Sequence, residues 1–436
     1  MKVLLVSTNR AQGLLRPFPL GLAYVAANLD GRRHEVGLWD AMFQDDWEPS
    51  LRSRLREFRP EVVGLSVRNV DDQEIRQPQW FLEEVRRMAA VCREESGATL
   101  VVGGAGFSMF AHEALSFLGA DYGIVGEGER ALGLLLDRLE AGAEPGTNLN
   151  DVPGLVWLED GRPRATPPQR IEDLDRLTEP ERAGFDAAKY HETPGEGSIP
   201  NVAPVQTKRG CTQSCIYCAT PAMEGARLRL RSPEAVGAEI ERLVEQGLTR
   251  LQFVDALFTN PPAHAEAICR ELLRRRLPVR WAATINPAFA EPGLLRLMKR
   301  AGCSMLVVGN ESGCTRTLKA MSKGFAREDA ERCFSTLEAE QIRYNAFLLL
   351  GGPGEDRDSV RESVELMQRF RPNQMSVTVG IRIYPHCELV HVAERDGMLR
   401  PGDSLLEPRF YLAPAVEDWI WEYLEPVMKR NPSWTY

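Results

Sequence analysis

Three cysteines carry the most specific chemistry in this chain. Cys211, Cys215 and Cys218 lie in the run Lys208-Arg209-Gly210-Cys211-Thr212-Gln213-Ser214-Cys215-Ile216-Tyr217-Cys218. Thiolates at this spacing fit one turn-sized loop and can hold three corners of a cubane iron–sulfur cluster. One iron then lacks a protein ligand and can bind a small molecule. Structural zinc is the rival, but it takes four closed ligands, and no further Cys or His lies close in sequence to complete the set.

The remainder of the chain must position that loop. At 436 residues it exceeds one ordinary domain, and a soft prior gives about three units, or two with appendages. A 43% hydrophobic and 8% aromatic composition leaves material for sizeable cores. A net charge of −9 argues against a general nucleic-acid binder. No apolar run approaches the roughly 20 residues that span a bilayer, and the start, Met1 to Ser7, lacks the pattern of a secretory signal. The expected location is cytoplasmic. The nine cysteines are odd in number and mostly scattered, which argues against a disulfide framework. Cys92, Cys269 and Cys333 fall in helical patterns and read as small buried hydrophobes.

Over the first 140 or so residues, strand-length apolar runs (Val3–Val6, Glu35–Trp39, Glu61–Val67, Thr99–Val102, Asp121–Val125) alternate with helical patterns. Alternation with short connections predicts a Rossmann-like, doubly wound parallel sheet. Ligands of such sheets bind beyond the C-terminal strand ends. Those ends carry Ser66, Arg68, Gly103, Gly104 and the run Gly126-Glu127-Gly128, with glycines that let backbone approach a ligand. No GxGxxG follows the first strand, which lowers the case for a dinucleotide. Residues 146–204 read as a connector with a small hairpin turning at Asp160-Gly161. Alternation resumes at Val205–Lys208, Leu251–Asp255, Val279–Thr284, Met305–Val308, Tyr344–Leu350 and Met375–Ile383. Six such units suggest an open, partial (β/α)6 barrel, whose chemistry belongs on the loops after each strand. The expected domains are therefore 1–145, the connector 146–204, the barrel 205–395 and a helical C-terminal extension 396–436.

Two barrel positions stand out on residue type alone. Asp255 ends the second barrel strand, where a carboxylate is more often functional than structural. His386 and Cys387 follow the sixth, and such a pair can donate a proton, a hydrogen atom or a thiol ligand; two partly buried turn residues are the plainer reading.

Cys211, Cys215 and Cys218, after Arg-Gly and with Tyr217 before the last thiol, resemble the motif of the radical S-adenosylmethionine (SAM) enzymes. That resemblance implies a [4Fe-4S] cluster whose open iron chelates SAM. Tyr217 is then placed to contact adenine, Glu311 or Ser312 in Asn310-Glu311-Ser312-Gly313 to reach the ribose or amino group, and Gly352-Pro353 to form the adenine turn. The N-terminal half, with Pro19–Tyr24, Gly103-Gly104 and Gly126 to Glu129, resembles the cobalamin-binding domain found ahead of many radical SAM cores. The class B cobalamin-dependent radical SAM methyltransferases are the implied family. Their first steps imply reduction of the cluster, cleavage of SAM to a 5′-deoxyadenosyl radical, and methyl transfer through cobalamin to an unactivated carbon. A small-molecule or natural-product substrate and a reductant such as flavodoxin or ferredoxin follow from the same resemblance, with no nucleic acid and no membrane span.

One departure matters. Many cobalamin proteins place Asp-x-His-x-x-Gly after the first strand, whereas this chain has Thr8-Asn9-Arg10-Ala11-Gln12-Gly13. No histidine ligand to cobalt is expected there, and His34 reads as a surface turn residue. Arg68 is a cation at the ligand edge that cannot coordinate cobalt; pairing with Asp71 or Asp72 is its structural alternative. Three rivals remain: radical oxidation, cyclisation or rearrangement without methylation; polar methyl transfer through cobalamin; and a tRNA methylthiotransferase or cobalamin sensor. The methylthiotransferase expects further N-terminal cluster cysteines and a basic tail, which this acidic chain lacks.

Overall fold

The computed structural model describes residues 1–11, 16–142, 149–186, 189–190 and 202–436. Part of the loop after the first strand (Gln12, Gly13) and the irregular stretch Glu144–Asn148 lie outside them. Two compact units emerge, Met1–Asp72 with Pro78–Pro200, and Gln73–Gln77 with Asn201–Tyr436.

The first unit is built on a seven-stranded sheet. Its strands are β1 (Lys2–Ser7), β2 (Glu35–Asp40), β3 (Val62–Ser66), β4 (Thr99–Gly103), β5 (Tyr122–Ile124), β6 (Leu155–Glu159) and β7 (Arg162–Ala165), in the order β2-β1-β3-β4-β5-β6-β7. The first five run parallel. Val3, Leu4, Leu5 and Val6 are all buried, because helices cover both faces of the sheet. Helices Leu20–Ala27 and Gly128–Glu140 share one core with Val3, Leu5 and Val101. The order 2-1-3-4-5 puts the topological switch point between β1 and β3, where ligands of such sheets bind. Residues read as a connector add β6 antiparallel to β5 and β7 antiparallel to β6. The hairpin turns through Asp160 (φ 51°) and Gly161 (φ 73°), the positive pair that an Asp-Gly turn supplies.

In the second unit, β8 (Val202–Val205), β11 (Arg250–Phe253), β12 (Arg280–Ile285), β13 (Cys303–Glu311), β14 (Arg343–Leu350) and β15 (Gln374–Val379) pair in parallel, each with the next. These are the six strands of the partial barrel. Along β14 the residues alternate between buried and half-buried. Tyr344, Ala346, Leu348 and Leu350 are the buried set, and Asn345, Phe347 and Leu349 form the more open face of the sheet. Two details depart from the sequence reading. The last barrel strand breaks at Gly380 (φ 77°), so Ile381–Arg382 leaves the sheet as β16 to pair with Phe410–Tyr411 (β17). The C-terminal extension, expected to be helical, also returns a strand: Trp434–Thr435 (β18) pairs in parallel with β15.

The five residues Gln73–Gln77 belong to the second unit although the chain around them belongs to the first. Ile75 fills the space over Gly380, where an added Cβ would sit 2.7 Å from Ile75 Cδ1. The Arg76 guanidinium lies 4.8 Å from the Trp421 ring centre. His34, expected on the surface, is 3% exposed, with Nε2 3.8 Å from Asp137; burial lowers its pKa.

Candidate functional site

The cysteine loop is closed by a two-stranded clasp. β9 (Lys208–Arg209) leaves the end of the first barrel strand and pairs antiparallel with β10 (Arg229–Leu230), so all three thiols lie between the clasp strands. Gly210 adopts φ 95°, and a Cβ there would meet the Arg227 carbonyl oxygen at 2.3 Å. Only glycine fits. The Gly210 N–H donates to Glu224 Oε2 at 2.9 Å and the Cys211 N–H to the Gly225 carbonyl at 3.0 Å. Ile216 is held from both sides. Its N–H donates to the Met321 carbonyl at 3.2 Å, and its carbonyl accepts from Leu389 N–H at 2.9 Å.

Asp255 anchors the clasp. Its carboxylate accepts from Thr207 N–H at 2.7 Å, Thr207 Oγ1 at 2.6 Å and Lys208 N–H at 3.1 Å. The fully buried Lys208 ammonium donates to the Phe258 carbonyl at 2.7 Å and the Asn260 carbonyl at 3.2 Å. It lies 3.9 Å from Asp255 Oδ2. Asp255 therefore spends its oxygens on the backbone leading into the cysteine loop.

Burial pushes the Cys215 thiol up to about 11 and raises Cys211 too, each also feeling the neighbouring thiols. Iron removes the cost of stripping those protons, because metal replaces them. Among the described residues no three Cys, His, Asp or Glu side chains converge on a single metal position. A cubane asks for no such convergence, because each thiolate takes a different iron. The donor set fits a [4Fe-4S] cluster.

Beside the thiols, Lys323 joins two of the expected SAM contacts. Its ammonium donates to Tyr217 Oη at 3.1 Å and to Glu311 Oε1 at 3.2 Å. Glu311 sits at the end of β13 with φ 66°, a conformation uncommon for a side-chain-bearing residue and worth holding only at a demanding position. Burial first, then the Glu311 charge, lifts the Tyr217 phenol well above its ordinary value. Ser312 points elsewhere. Its hydroxyl shares a 2.9 Å hydrogen bond with Ser363 and accepts from Cys314 N–H at 3.1 Å. Gly313 lies so close to helix Arg357–Arg369 that a Cβ would be 2.8 Å from Ser363 Cα.

The turn at Gly351, Gly352 and Pro353 is braced by Glu355, whose Oε2 accepts from the N–H groups of Gly351 and Gly352. Burial pushes this carboxyl up to about 7 against those two amides. His386 and Cys387 separate. His386 is exposed in the left-handed region (φ 65°), while Cys387 is buried at the start of helix Glu388–Arg395. Burial, with the Cys218 charge adding, raises its thiol to about 12. Lys323, Lys208, Thr207, Ser363 and Glu355 escaped the sequence reading. Lys208, at the head of the cysteine run, and Glu355, inside the glycine-rich turn, carried a local signal.

In the first unit the switch point brings two loops together. Thr8 donates through Oγ1 to the Ser66 carbonyl at 2.9 Å. Gly104 (φ 97°) lies against the next loop so closely that a Cβ would be 2.5 Å from the Val67 carbonyl oxygen. Ser108 links two glycine turns, donating to the Gly104 carbonyl at 2.8 Å and accepting from Gly126 N–H at 3.0 Å. At Gly126 (φ 84°) a Cβ would have, among the described residues, only Pro168 nearby, at 3.9 Å. Glu127 and Gly128 open helix Gly128–Glu140, and Glu127 Oε2 accepts from Ile171 N–H at 2.7 Å. The Arg68 side chain is exposed and its guanidinium donates to Asn69 Oδ1 at 3.2 Å. Among the described residues it forms no ion pair with Asp71 or Asp72. Crowding by neutral protein, with no partner charge, lowers its pKa. These backbone-lined ends fit a large planar cofactor such as cobalamin.

Comparison with known proteins agrees with both halves. Residues 205–367 match the radical SAM superfamily, and residues 9–136 the B12 binding domain. The chain is 26% identical to tryptophan 2-C-methyltransferase of Streptomyces laurentii, over 89% of its own length and 73% of that protein. An uncharacterized methyltransferase of Pyrococcus horikoshii is 25% identical, over 92% of this chain and 84% of its own. The solved radical S-adenosylmethionine methyltransferase TsrM from Kitasatospora setae, with cobalamin and a [4Fe-4S] cluster bound, shares the fold at a TM-score of 0.83. It is 23% identical, with 100% of this chain and 90% of that one covered. Among the described residues no helix is long and apolar enough to cross a membrane.

Proposed function

We propose that this chain, a cobalamin-dependent radical SAM enzyme, transfers a methyl group from SAM, by way of cobalamin, to a carbon atom of a small organic substrate. The observation that carries the reading is the pairing in one chain of a three-thiol loop beside Glu311, Tyr217 and Lys323 with a switch-point sheet whose ligand edge is glycine-lined. When bound, the cluster supplies the electron that cleaves SAM, and cobalamin supplies a cobalt that can carry a methyl group. Relatives named for methylation of tryptophan and of cytidylyl-2-hydroxyethylphosphonate support a small-molecule substrate.

The chain's own part is to bind, orient and exclude water. Cys211, Cys215 and Cys218 hold iron, and Asp255 with Lys208 keeps their loop in register. Glu311 offers a carboxylate oxygen to the amino or ribose donors of SAM, and Gly352 with Pro353 forms a turn against adenine. Ser66, Gly103, Gly104, Gly126, Glu127 and Gly128 bring backbone to cobalamin. A one-electron reductant of the flavodoxin or ferredoxin class completes the requirement, and no nucleic acid is needed.

The test is an anaerobic incubation of reconstituted protein with reductant, cobalamin and SAM, quantifying S-adenosylhomocysteine and 5′-deoxyadenosine together. Both products are expected. The absence of both overturns the proposal, and deoxyadenosine alone removes cobalamin as a methyl carrier.

Arg68 favours a second reading, polar transfer, which S-adenosylhomocysteine alone would fit, as would a radical step waiting for its substrate. A cation that cannot coordinate cobalt, on an edge with no histidine among Thr8–Gly13, would favour an electron-rich cobalt able to accept a methyl group. Replacing Arg68 with Leu should then change the visible spectrum of the bound cofactor. An unchanged spectrum removes Arg68 from the site.

A further inference from the structure

Lys323 is 4% exposed, and a buried ammonium is costly unless something nearby needs its charge. Its immediate partners are Glu311 Oε1 at 3.2 Å and the Tyr217 hydroxyl at 3.1 Å. The rings of Tyr217 and Phe325 lie 5.7 and 5.9 Å from Nζ. The charged groups that act on it are Glu311, Cys215 and Cys218, and Cys211 feels both Lys323 and Glu224. Burial alone would pull the ammonium's pKa down, yet the summed attraction of Glu311 and the two thiols leaves it raised. The other buried lysine, Lys208, is saturated by backbone carbonyls and Asp255.

We propose that Lys323 is the counter-charge of the iron–sulfur site: it offsets the thiolates and Glu311, and so sets how readily the cluster accepts an electron. The inference rests on the cluster assignment made above. A [4Fe-4S] core of charge 2+ held by three thiolates carries a net −1, and reduction takes it to −2. Glu311 adds another negative charge beside the half-buried thiols. Adding an electron there without a nearby cation is opposed by Coulomb repulsion that water screens only in part, and nearby charge is one of the levers that set cluster potentials. The electron comes from the external one-electron reductant, so Lys323 itself gains and loses nothing. It is a positioning and charge-compensating residue, because it also holds the Glu311 carboxylate and the Tyr217 hydroxyl in place.

The experiment is an EPR-monitored redox titration of the reconstituted full-length protein with iron and sulfide content measured alongside, for wild type, Lys323→Met, Lys323→Arg and Glu311→Gln. Lys323→Met is expected to lower the equilibrium constant for one-electron reduction at least tenfold, about 59 mV toward negative potential. Lys323→Arg keeps the charge and should stay within that limit. Glu311→Gln removes the opposing charge and should move the potential the other way. A purely structural Lys323 predicts no such sign pattern. An unchanged midpoint in cluster-loaded Lys323→Met overturns the proposal. Should that variant retain no cluster, a Glu311→Gln midpoint that fails to rise overturns it instead. A wild type that takes up no four-iron cluster refutes the cluster assignment itself, a different result from either.

Discussion

Asp255 stands beside the cysteine loop and takes three hydrogen bonds from Thr207 and Lys208. Asp255→Ala leaves those buried donors unsatisfied and takes the carboxylate partner from the Lys208 charge, which keeps its backbone carbonyls, so it should destabilise the protein by about 3 kcal/mol. Urea unfolding measures that loss, and iron content after reconstitution should fall with it. Cys387 calls for the opposite kind of test. Its thiol, raised to about 12, stays protonated near neutral pH, a state suited to giving up a hydrogen atom and unsuited to acting as a thiolate. Cys387→Ser should keep the fold, with an unchanged melting temperature, and lower turnover. Full turnover in that variant retires the residue from catalysis. A carboxylate at a strand end and a lone thiol after a turn are both visible in a sequence; which way each faces is decided by partners far along the chain.

At the scale of elements, period and turn chemistry made most of the architecture legible. β1, β12 and β14 were readable as apolar runs of strand length, and Ser232 caps helix Pro233–Glu245 by accepting from Ala235 N–H, as its position before Pro233 implies. The parts that escaped depend on long-range pairing. β18 is two residues long and exists only because β15 offers an open edge. Lys323 meets Tyr217 across 106 positions of sequence, with no local pattern to announce it. The Gly351–Glu355 turn carries its own prediction. Glu355 titrates at about 7 in the folded chain against an ordinary 4.5, so the folded state holds that proton more tightly. The associated stability is full below about 4.5 and is lost as pH rises to about 7, a loss on the order of 3 kcal/mol at most. Glu355→Gln keeps an acceptor for the two glycine amides without titrating. Thermal melts from pH 5 to 7.5 should show wild type falling relative to the variant.

For the whole molecule, the sequence divided the chain at 145, 204 and 395, whereas compactness divides it into two units with an exchange at Gln73–Gln77. Composition cannot reveal such an exchange, since Gln73 to Gln77 resembles any polar loop apart from Ile75. Ile75→Asp should therefore destabilise the second unit by about 2 kcal/mol, by removing apolar burial and placing a charge over Gly380. The measurement is protease sensitivity of residues 201–436, expected to rise while the unit made of 1–72 and 78–200 holds.

That five-residue exchange also bears on inheritance. A cofactor domain joined at one point can be traded between genes as a cassette, and linkers of that kind tolerate recombination. Here the chain crosses from one unit to the other at 72/73, 77/78 and 200/201, so a crossover placed at residue 200 delivers a barrel without its own Ile75 and Arg76. Viable hybrids must match the donor's segment 73–77 to the recipient's Gly380 and Trp421, and the two halves are thereby obliged to evolve as a pair.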